Sequence, residues 1–421
     1  MPRRSKLSLR KPSVDRPKRP PVVGVRLIRL MDDLLAGLRD ADAHGNRVLH
    51  RDHVVIAHLI AFFNPTVDSL RTIEDAFDRP RIQKRFGVPR ITRCTLSDAQ
   101  RVFDPKLLQP LVDALARRVR QKNGGDARLD AITRQIIAVD ATCFEVAARI
   151  LWARPRHPGD ARGTVQMCLH FDVLHGVPRG FTLIDGRSSE RAQLPAAILP
   201  DRLYLLDRAY QSYEHLNTIV ERGSDFVVRL RRTANFMTVA DRPLTAADRR
   251  AGVLQDLEVT PTDRKQRFQM PVRLVEIAGV DAGRDGDGDH DGRGGSEGGN
   301  TVRLLTNRFD LTAEQLGLLY RQRWQIELFF RWLKCVVGLL HFTSESHAGM
   351  TLQLYAALIG TLLLALFTGN RPNKYDYSLM SMAVSGFLTA AEVLEVSARR
   401  RAERQRAAER QRARRNEKKS R

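Results

Sequence analysis

Cysteine is scarce in this 421-residue chain, and none of Cys94, Cys143, Cys168 and Cys335 stands in a CxxC pair or at Cys/His ligand spacing. That excludes a disulfide scaffold and a structural zinc, and predicts free thiols in a reducing compartment. No uninterrupted apolar run reaches the ~18–20 residues that cross a bilayer. The longest, residues 354–367, reads as a buried core helix. No apolar stretch follows the basic N-terminus, so a secretory leader is not expected. Acids are nearly missing from both ends: residues 1–30 hold ten Lys/Arg against Asp15 alone, and residues 397–421 hold twelve against three Glu. The formal net charge of +22 therefore sits mostly at the termini. Basic ends on a balanced body predict polyanion-binding arms, with nucleic acid ahead of a membrane surface.

What is present divides the chain into segments. Residues 1–20, rich in Arg, Lys and Pro, are expected to be a disordered basic arm. Residues 21–125 show apolar spacing of three and four with Pro-containing joints, which predicts an N-terminal helical DNA-binding domain. Its cations Arg81, Lys84, Arg85, Arg90, Arg93 and Arg101 fall in or beside those joints, within reach of phosphates. Residues 121–127 (QKNGGDA) read as a linker. Strand patterns follow over 130–232, including IIAV (136–139) ending in Asp140, a hairpin over 165–184, and LYLL (203–206) ending in Asp207. Residues 233–300 read as a β insertion closing in a Gly/Asp-rich stretch, 283–300. There Asp287, Asp289 and Asp291 mimic an EF-hand loop, but the closing acid Glu297 comes one position early, so a solvated loop is expected. Residues 301–345 return to the α/β pattern, 346–395 are helical, and 396–421 form the basic tail.

The richest stretch is 316–340, LGLLYRQRWQIELFFRWLKCVVGLL. As one continuous helix it places Tyr320, Arg323, Glu327 and Lys334 within roughly 60° of one another. Leu316, Leu319, Ile326, Phe330, Leu333 and Val337 form an adjoining apolar stripe. An ordinary solvated Arg323–Glu327 pair explains the face equally well when the helix is considered alone.

Asp140 and Asp207 alter that balance. Each taken singly reads as a turn or cap residue. Two strand-borne aspartates and a helix-borne glutamate are also a set able to hold two Mg²⁺ ions for phosphoryl transfer. Arg323 and Lys334 are suited to the DNA backbone, Arg by its fork and Lys as a point charge, and Tyr320 adds a hydroxyl. Trp324 is a candidate for stacking on a base or for anchoring the core.

Three blocks, Asp140 in VDAT, Asp207-Arg208-Ala209-Tyr210, and Tyr320-x2-Arg323-x3-Glu327-x6-Lys334, resemble the catalytic blocks of DDE transposases of the insertion sequence four family. The resemblance covers roughly residues 90–385. It implies an α/β, ribonuclease H-like mixed sheet flanked by helices, with a β insertion, an N-terminal helical domain and a C-terminal helical extension. It also implies a bacterial cytoplasmic enzyme that cleaves transposon ends and joins the freed 3′-hydroxyl to target DNA in a synaptic homodimer. Asp140, Asp207 and Glu327 would hold two Mg²⁺, with Mn²⁺ as substitute. Tyr320, Arg323, Lys334, Arg208, Tyr210 and Trp324 would contact terminal repeats and target DNA. Two departures stand out: Ala209 occupies a place where the family usually has Gly, and no tryptophan lies in the insertion, where hairpin-forming members carry a base-holding aromatic. A structure-specific nuclease or resolvase, or a decayed DNA-binding protein, would share most of these features.

Overall fold

In the computed structural model, residues 27–419 are described apart from 41–47, 65, 123–128, 130–131, 133, 158, 263–267, 269, 279–300 and 339–341. The basic arm 1–20, the Gly/Asp-rich stretch 283–300 and most of the linker 121–127 lie outside the described residues. Helices come first: α1 (Asp32–Asp40), α2 (Arg51–Phe63), α3 (Leu70–Phe77), α4 (Pro80–Phe86), α5 (Arg93–Val102) and α6 (Gln109–Lys122). Their joints follow the sequence signals. Ser69 and Thr92 cap α3 and α5 through their hydroxyls, Pro80 opens α4, and Gly87 ends it at φ 64°.

One nine-stranded sheet follows, in the order β3-β2-β1-β4-β5-β9-β8-β7-β6. β1 (Gln135–Val146), β2 (Gly163–Asp172) and β3 (Val177–Asp185) run antiparallel, whereas β4 (Arg202–Leu206) and β5 (Asp225–Arg229) add parallel to β1. This is the mixed, ribonuclease H-like arrangement expected. The strands of the insertion, β6 (Phe236–Asp241), β7 (Val253–Pro261) and β8 (Val272–Ile277), do not stack as a separate layer. They extend the same sheet through β9 (Val302–Thr306), which pairs antiparallel with both β5 and β8.

The period-2 alternation of these strands sorts their side chains onto two faces. Ile137, Val139, Tyr204, Leu206, Phe226 and Val228 meet the short helices α7 (Glu190–Ala197) and α8 (Tyr213–Glu221). Ile136, Ala138, Leu203, Leu205 and Val227 face the other way. That second face is continuous with the interior of α1–α6, so the N-terminal helices share the core of the sheet rather than building one of their own. The short α9 (Ala246–Arg250) precedes β7.

The central helix of this larger core comes late in the chain. After α10 (Ala313–Gln322), α11 (Trp324–Arg331) and a π turn (Trp332–Val336) comes α12 (His347–Thr368), apolar on all sides. By length and composition this helix would cross a membrane, but 83% of its most apolar window is buried inside the protein. Gly360 allows the close approach to α2: a Cβ there would lie 2.4 Å from Phe62 Cδ1. Two helices, α13 (Lys374–Val384) and α14 (Ala390–Lys419), complete the chain.

Candidate active site

The parallel register of β1 and β4 places the two aspartates. Val139 is the partner of Leu206, the last pair in the ladder, so the next residues along, Asp140 and Asp207, are neighbours across the strands. Both continue the alternation of Ala138 and Leu205, and both therefore face the larger core side. Asp140 does not end its strand. β1 runs on to Val146 paired only with β2, because β4 stops beside it, and the acid sits at the point where the strand becomes open on one side. Open α/β sheets characteristically bind ligands outside the carboxyl ends of such parallel strands.

The helical stretch from Ala313 brings the third acid across this face. Thr312 caps α10 in a reciprocal box with Gln315, and Arg273 of β8 donates to the Leu311 and Arg308 carbonyls just before it. Leu316, Leu319, Ile326, Phe329 and Phe330 pack into the larger core. The expected single helix is interrupted twice. Tight three-residue hydrogen bonds, Arg323 N to Tyr320 O and Ile326 N to Arg323 O, mark the α10–α11 joint, and Val337 N bonds Trp332 O in the π turn. The π turn forms where Trp332 is fixed by its indole N–H to Thr361 Oγ1 of α12. π turns of this kind are frequent at functional sites.

The side chains then interlock. Tyr320 donates its hydroxyl to Asp207 Oδ1 at 3.2 Å. Arg323 lies 3.5 Å from Asp140 Oδ2 and donates to Glu327 Oε1 at 2.6 Å, so one guanidinium spans a strand acid and the helix acid. Asp140 Oδ1 accepts from the Ala141 N–H. Lys334 stands further along β1, its amine 5.3 Å from the Phe144 ring centroid. Four of the sequence-predicted residues, Asp140, Asp207, Tyr320 and Glu327, are thus joined through contacts in which Arg323 is central.

The electrostatics follow from partial burial. Asp140 is pushed up to about 7, first by desolvation, with Arg323 and the Ala141 N–H opposing and Glu190 and Asp207 adding. Burial works against the Arg323 charge, yet Tyr320, Asp207, Asp140 and Glu327 together raise its pKa above the ordinary arginine value. Burial lowers that of Lys334. With side-chain exposures of 23% for Asp140 and 26% for Glu327, the acids remain reachable from solvent, whereas Arg323 at 8% does not.

Two expectations need correction. Arg323 is not presented to a DNA backbone; its fork is turned inward and occupied by acids. Tyr210 is 1% exposed and packs in the smaller core, because the 3₁₀ turn Arg208–Tyr210 folds its ring under the sheet. Lys334 is half-buried against Phe144. Arg208 and Trp324 are partly exposed beside the site. Sequence reasoning missed Glu190, the first residue of α7, whose charge bears on Asp140 and Asp207 and whose own pKa burial raises. The available signal was an acid opening a helix directly after the β2–β3 hairpin.

Carboxylate oxygens are the donors that hard divalent cations take, and two side-by-side aspartates with a facing glutamate fit that chemistry. Among the described residues, however, no three His, Cys, Asp or Glu side chains converge on one point. The Arg323 guanidinium supplies the positive charge between Asp140 and Glu327.

The family model described as "Transposase DDE domain" matches residues 132–363, more than half of the chain and the whole of this site. A putative transposase, y4zB, of Sinorhizobium fredii is 28% identical over 272 residues, covering 61% of this chain and 70% of that one. A probable transposase for insertion sequence element IS5377 of Geobacillus stearothermophilus is 24% identical over 295 residues, covering 70% and 72%. Among solved structures, a piggyBac transposase synaptic complex with hairpin DNA shows a loose likeness, with a TM-score of 0.40, 13% identity, and coverage of 90% of this chain and 83% of that one. A ribonuclease H-like sheet whose strand ends hold paired aspartates beneath a glutamate-bearing helix, matched along its whole length by the family, identifies the chain as a DDE transposase.

Proposed function

We propose that this transposase cleaves DNA at the ends of its own insertion sequence and transfers the freed 3′-hydroxyl into target DNA, using Asp140, Asp207 and Glu327 as its acidic triad. The observation that carries the reading is the Asp140/Asp207 adjacency fixed by the Val139–Leu206 register, with Glu327 linked to Asp140 through Arg323. The three acids would hold Mg²⁺, two ions being the expected number and Mn²⁺ a substitute, and the metal supplies activation of the attacking oxygen and charge neutralisation at the scissile phosphate. Tyr320 orients the Asp207 carboxylate through its hydroxyl. Arg323 keeps Asp140 and Glu327 from repelling one another before DNA arrives. Arg208, Trp324 and Lys334 line the approach. The exposed cations Arg81, Lys84, Arg93 and Arg101 of the N-terminal helices are suited to hold the terminal inverted repeat by its phosphates. Cleavage and joining at paired ends require two active sites, so the working form is a synaptic homodimer.

The test uses duplexes carrying the inverted repeats that flank the reading frame, either intact or pre-cut to expose the 3′-hydroxyl, with Mg²⁺ or Mn²⁺. Nicking and joined product are expected from the parent protein, and neither from Asp140→Ala, Asp207→Ala or Glu327→Ala. Joining by any one of these variants removes that residue from the triad. Cutting without joining from the pre-cut end would make the protein a nuclease.

A further inference from the structure

The last helix, α14, has two parts of unlike character. Ala390, Val393 and Ser397 are buried, Ser397 donates its hydroxyl to Asp376, and Arg401 donates to the Thr368 carbonyl. Its first three turns are therefore fixed to α12 and α13. Beyond Arg401 the helix continues to Lys419 without an apolar residue larger than alanine, and every side chain described between 403 and 414 is exposed. Residues 402–419 make an arm of roughly 27 Å at the α-helical rise.

The sequence of this arm decides what it suits. The hexad Ala-Glu-Arg-Gln-Arg-Ala occurs twice in succession, at 402–407 and 408–413, and residues 399–419 hold eleven Lys/Arg against three Glu. Six residues at about 100° each advance the helix by about 240°, so the arginines encircle the cylinder instead of forming a stripe. A coiled coil with a second copy needs an apolar seam, and a membrane-surface helix needs an apolar face; this arm has neither. A flat array of phosphates would engage one side and leave the remaining cations unpaired. The major groove of B-DNA is about 12 Å wide, admits an α-helix, and is walled by phosphates on both sides.

Building on the reading that the protein acts on DNA, we propose that the helical arm beyond Arg401 lies in the major groove of duplex DNA and grips both backbones. Glutamines and small alanines between the arginines allow the close approach this requires.

Fluorescence anisotropy with a labelled 20-base-pair DNA duplex and the RNA duplex of the same sequence tests this over a range of KCl. The proteins compared are the full chain, a chain ending at Arg401, a variant with Arg404, Arg406, Arg410 and Arg414 each changed to Gln, and Ala407→Pro. Truncation and the Gln variant are expected to weaken DNA binding roughly tenfold or more at 0.1 M salt; the Gln variant, with four arginines changed, should lower the salt slope by about 3–4, near 0.9 for each phosphate no longer neutralised, and truncation, which removes nine Lys/Arg, by at least as much. Ala407→Pro keeps every charge but breaks the helix, and is expected to lose most of the same increment. The RNA duplex, with a deep and narrow major groove, is expected to show no increment from the arm. An increment that survives Ala407→Pro, or appears equally on RNA, makes the arm a flexible polycation and overturns the proposal, as does no increment at all. Nicking by the truncated chain on pre-cut and intact ends is measured in parallel, so failure of the arm is separable from failure of the transposition reading.

Discussion

Removing the Arg323 side chain tests the electrostatic logic of the site directly. Its guanidinium is 8% exposed and is the cation between Asp140 Oδ2, at 3.5 Å, and Glu327 Oε1, at 2.6 Å. At an effective dielectric of about 20, one such pair about 4 Å apart contributes on the order of 4 kcal/mol. Deleting one partner of a buried pair costs roughly 3–5 kcal/mol, because the other charge is left uncompensated. Here both acids keep about a quarter of their side-chain exposure, and Asp140 escapes part of the penalty by protonating, so a net loss of about 2–3 kcal/mol is expected for Arg323→Ala. At ~2–4 °C per kcal/mol for a larger domain, the melting temperature without metal should fall by roughly 5–10 °C. The second half of the prediction concerns Mg²⁺. If the acids are metal ligands and the guanidinium occupies the space between them, added Mg²⁺ should stabilise Arg323→Ala more than the parent protein, and Arg323→Ala/Asp140→Asn less than Arg323→Ala. Thermal melts by circular dichroism with and without 5–10 mM MgCl₂, about the usual range for weak Mg²⁺ sites, measure both effects. An unchanged melting temperature, or an Mg²⁺ shift no larger than that of the parent, would refute the reasoning.

Other perturbations probe the scaffold. Gly360→Val pushes side-chain atoms into the Phe62 ring, which a Cβ alone already meets at 2.4 Å; a loss of about 1–3 kcal/mol in urea unfolding is expected, with nicking retained below the melting temperature. Arg273→Met leaves Asp256 without its buried fork and frees the Arg308 and Leu311 carbonyls, so about 3–5 kcal/mol should be lost; adding Asp256→Asn should restore part of it in a double-mutant cycle. His58 is buried between Val54 O and Gln100, and burial lowers its pKa. A histidine with a lowered folded pKa contributes stability that is present above the unfolded value, about 6.5, and is lost as pH falls toward the folded one. His58→Gln should therefore show a smaller drop in melting temperature between pH 7.5 and 5.5 than the parent; equal drops would place the buried proton elsewhere.

Residue type and spacing alone marked out the elements and the candidates. Apolar periodicity marked the strands and the core helix, because burial imposes periods of 2 and 3.6 on any chain that folds. Asp140, Asp207 and the Tyr320–Lys334 spacing were legible because side-chain chemistry is written in residue type, and so was the positive charge of the two ends. Other features depended on contacts between residues distant in sequence. No local pattern states that Val139 pairs with Leu206, and without that register two aspartates 67 positions apart have no reason to be neighbours. The inward turn of Arg323 required both acids to be in place around it. Tyr210 was read as a DNA contact because an aromatic ring beside an acid looks the same in sequence whether it points to solvent or under the sheet. Glu190 escaped notice because its hairpin had first to fold back over β1. The helical stretch read as one unbroken cylinder because its interruptions are set by packing against β1 and α12, not by a proline or glycine at the joints. Local chemistry chose which residues were available to act; the sheet register and the packing of that helix decided which of them meet.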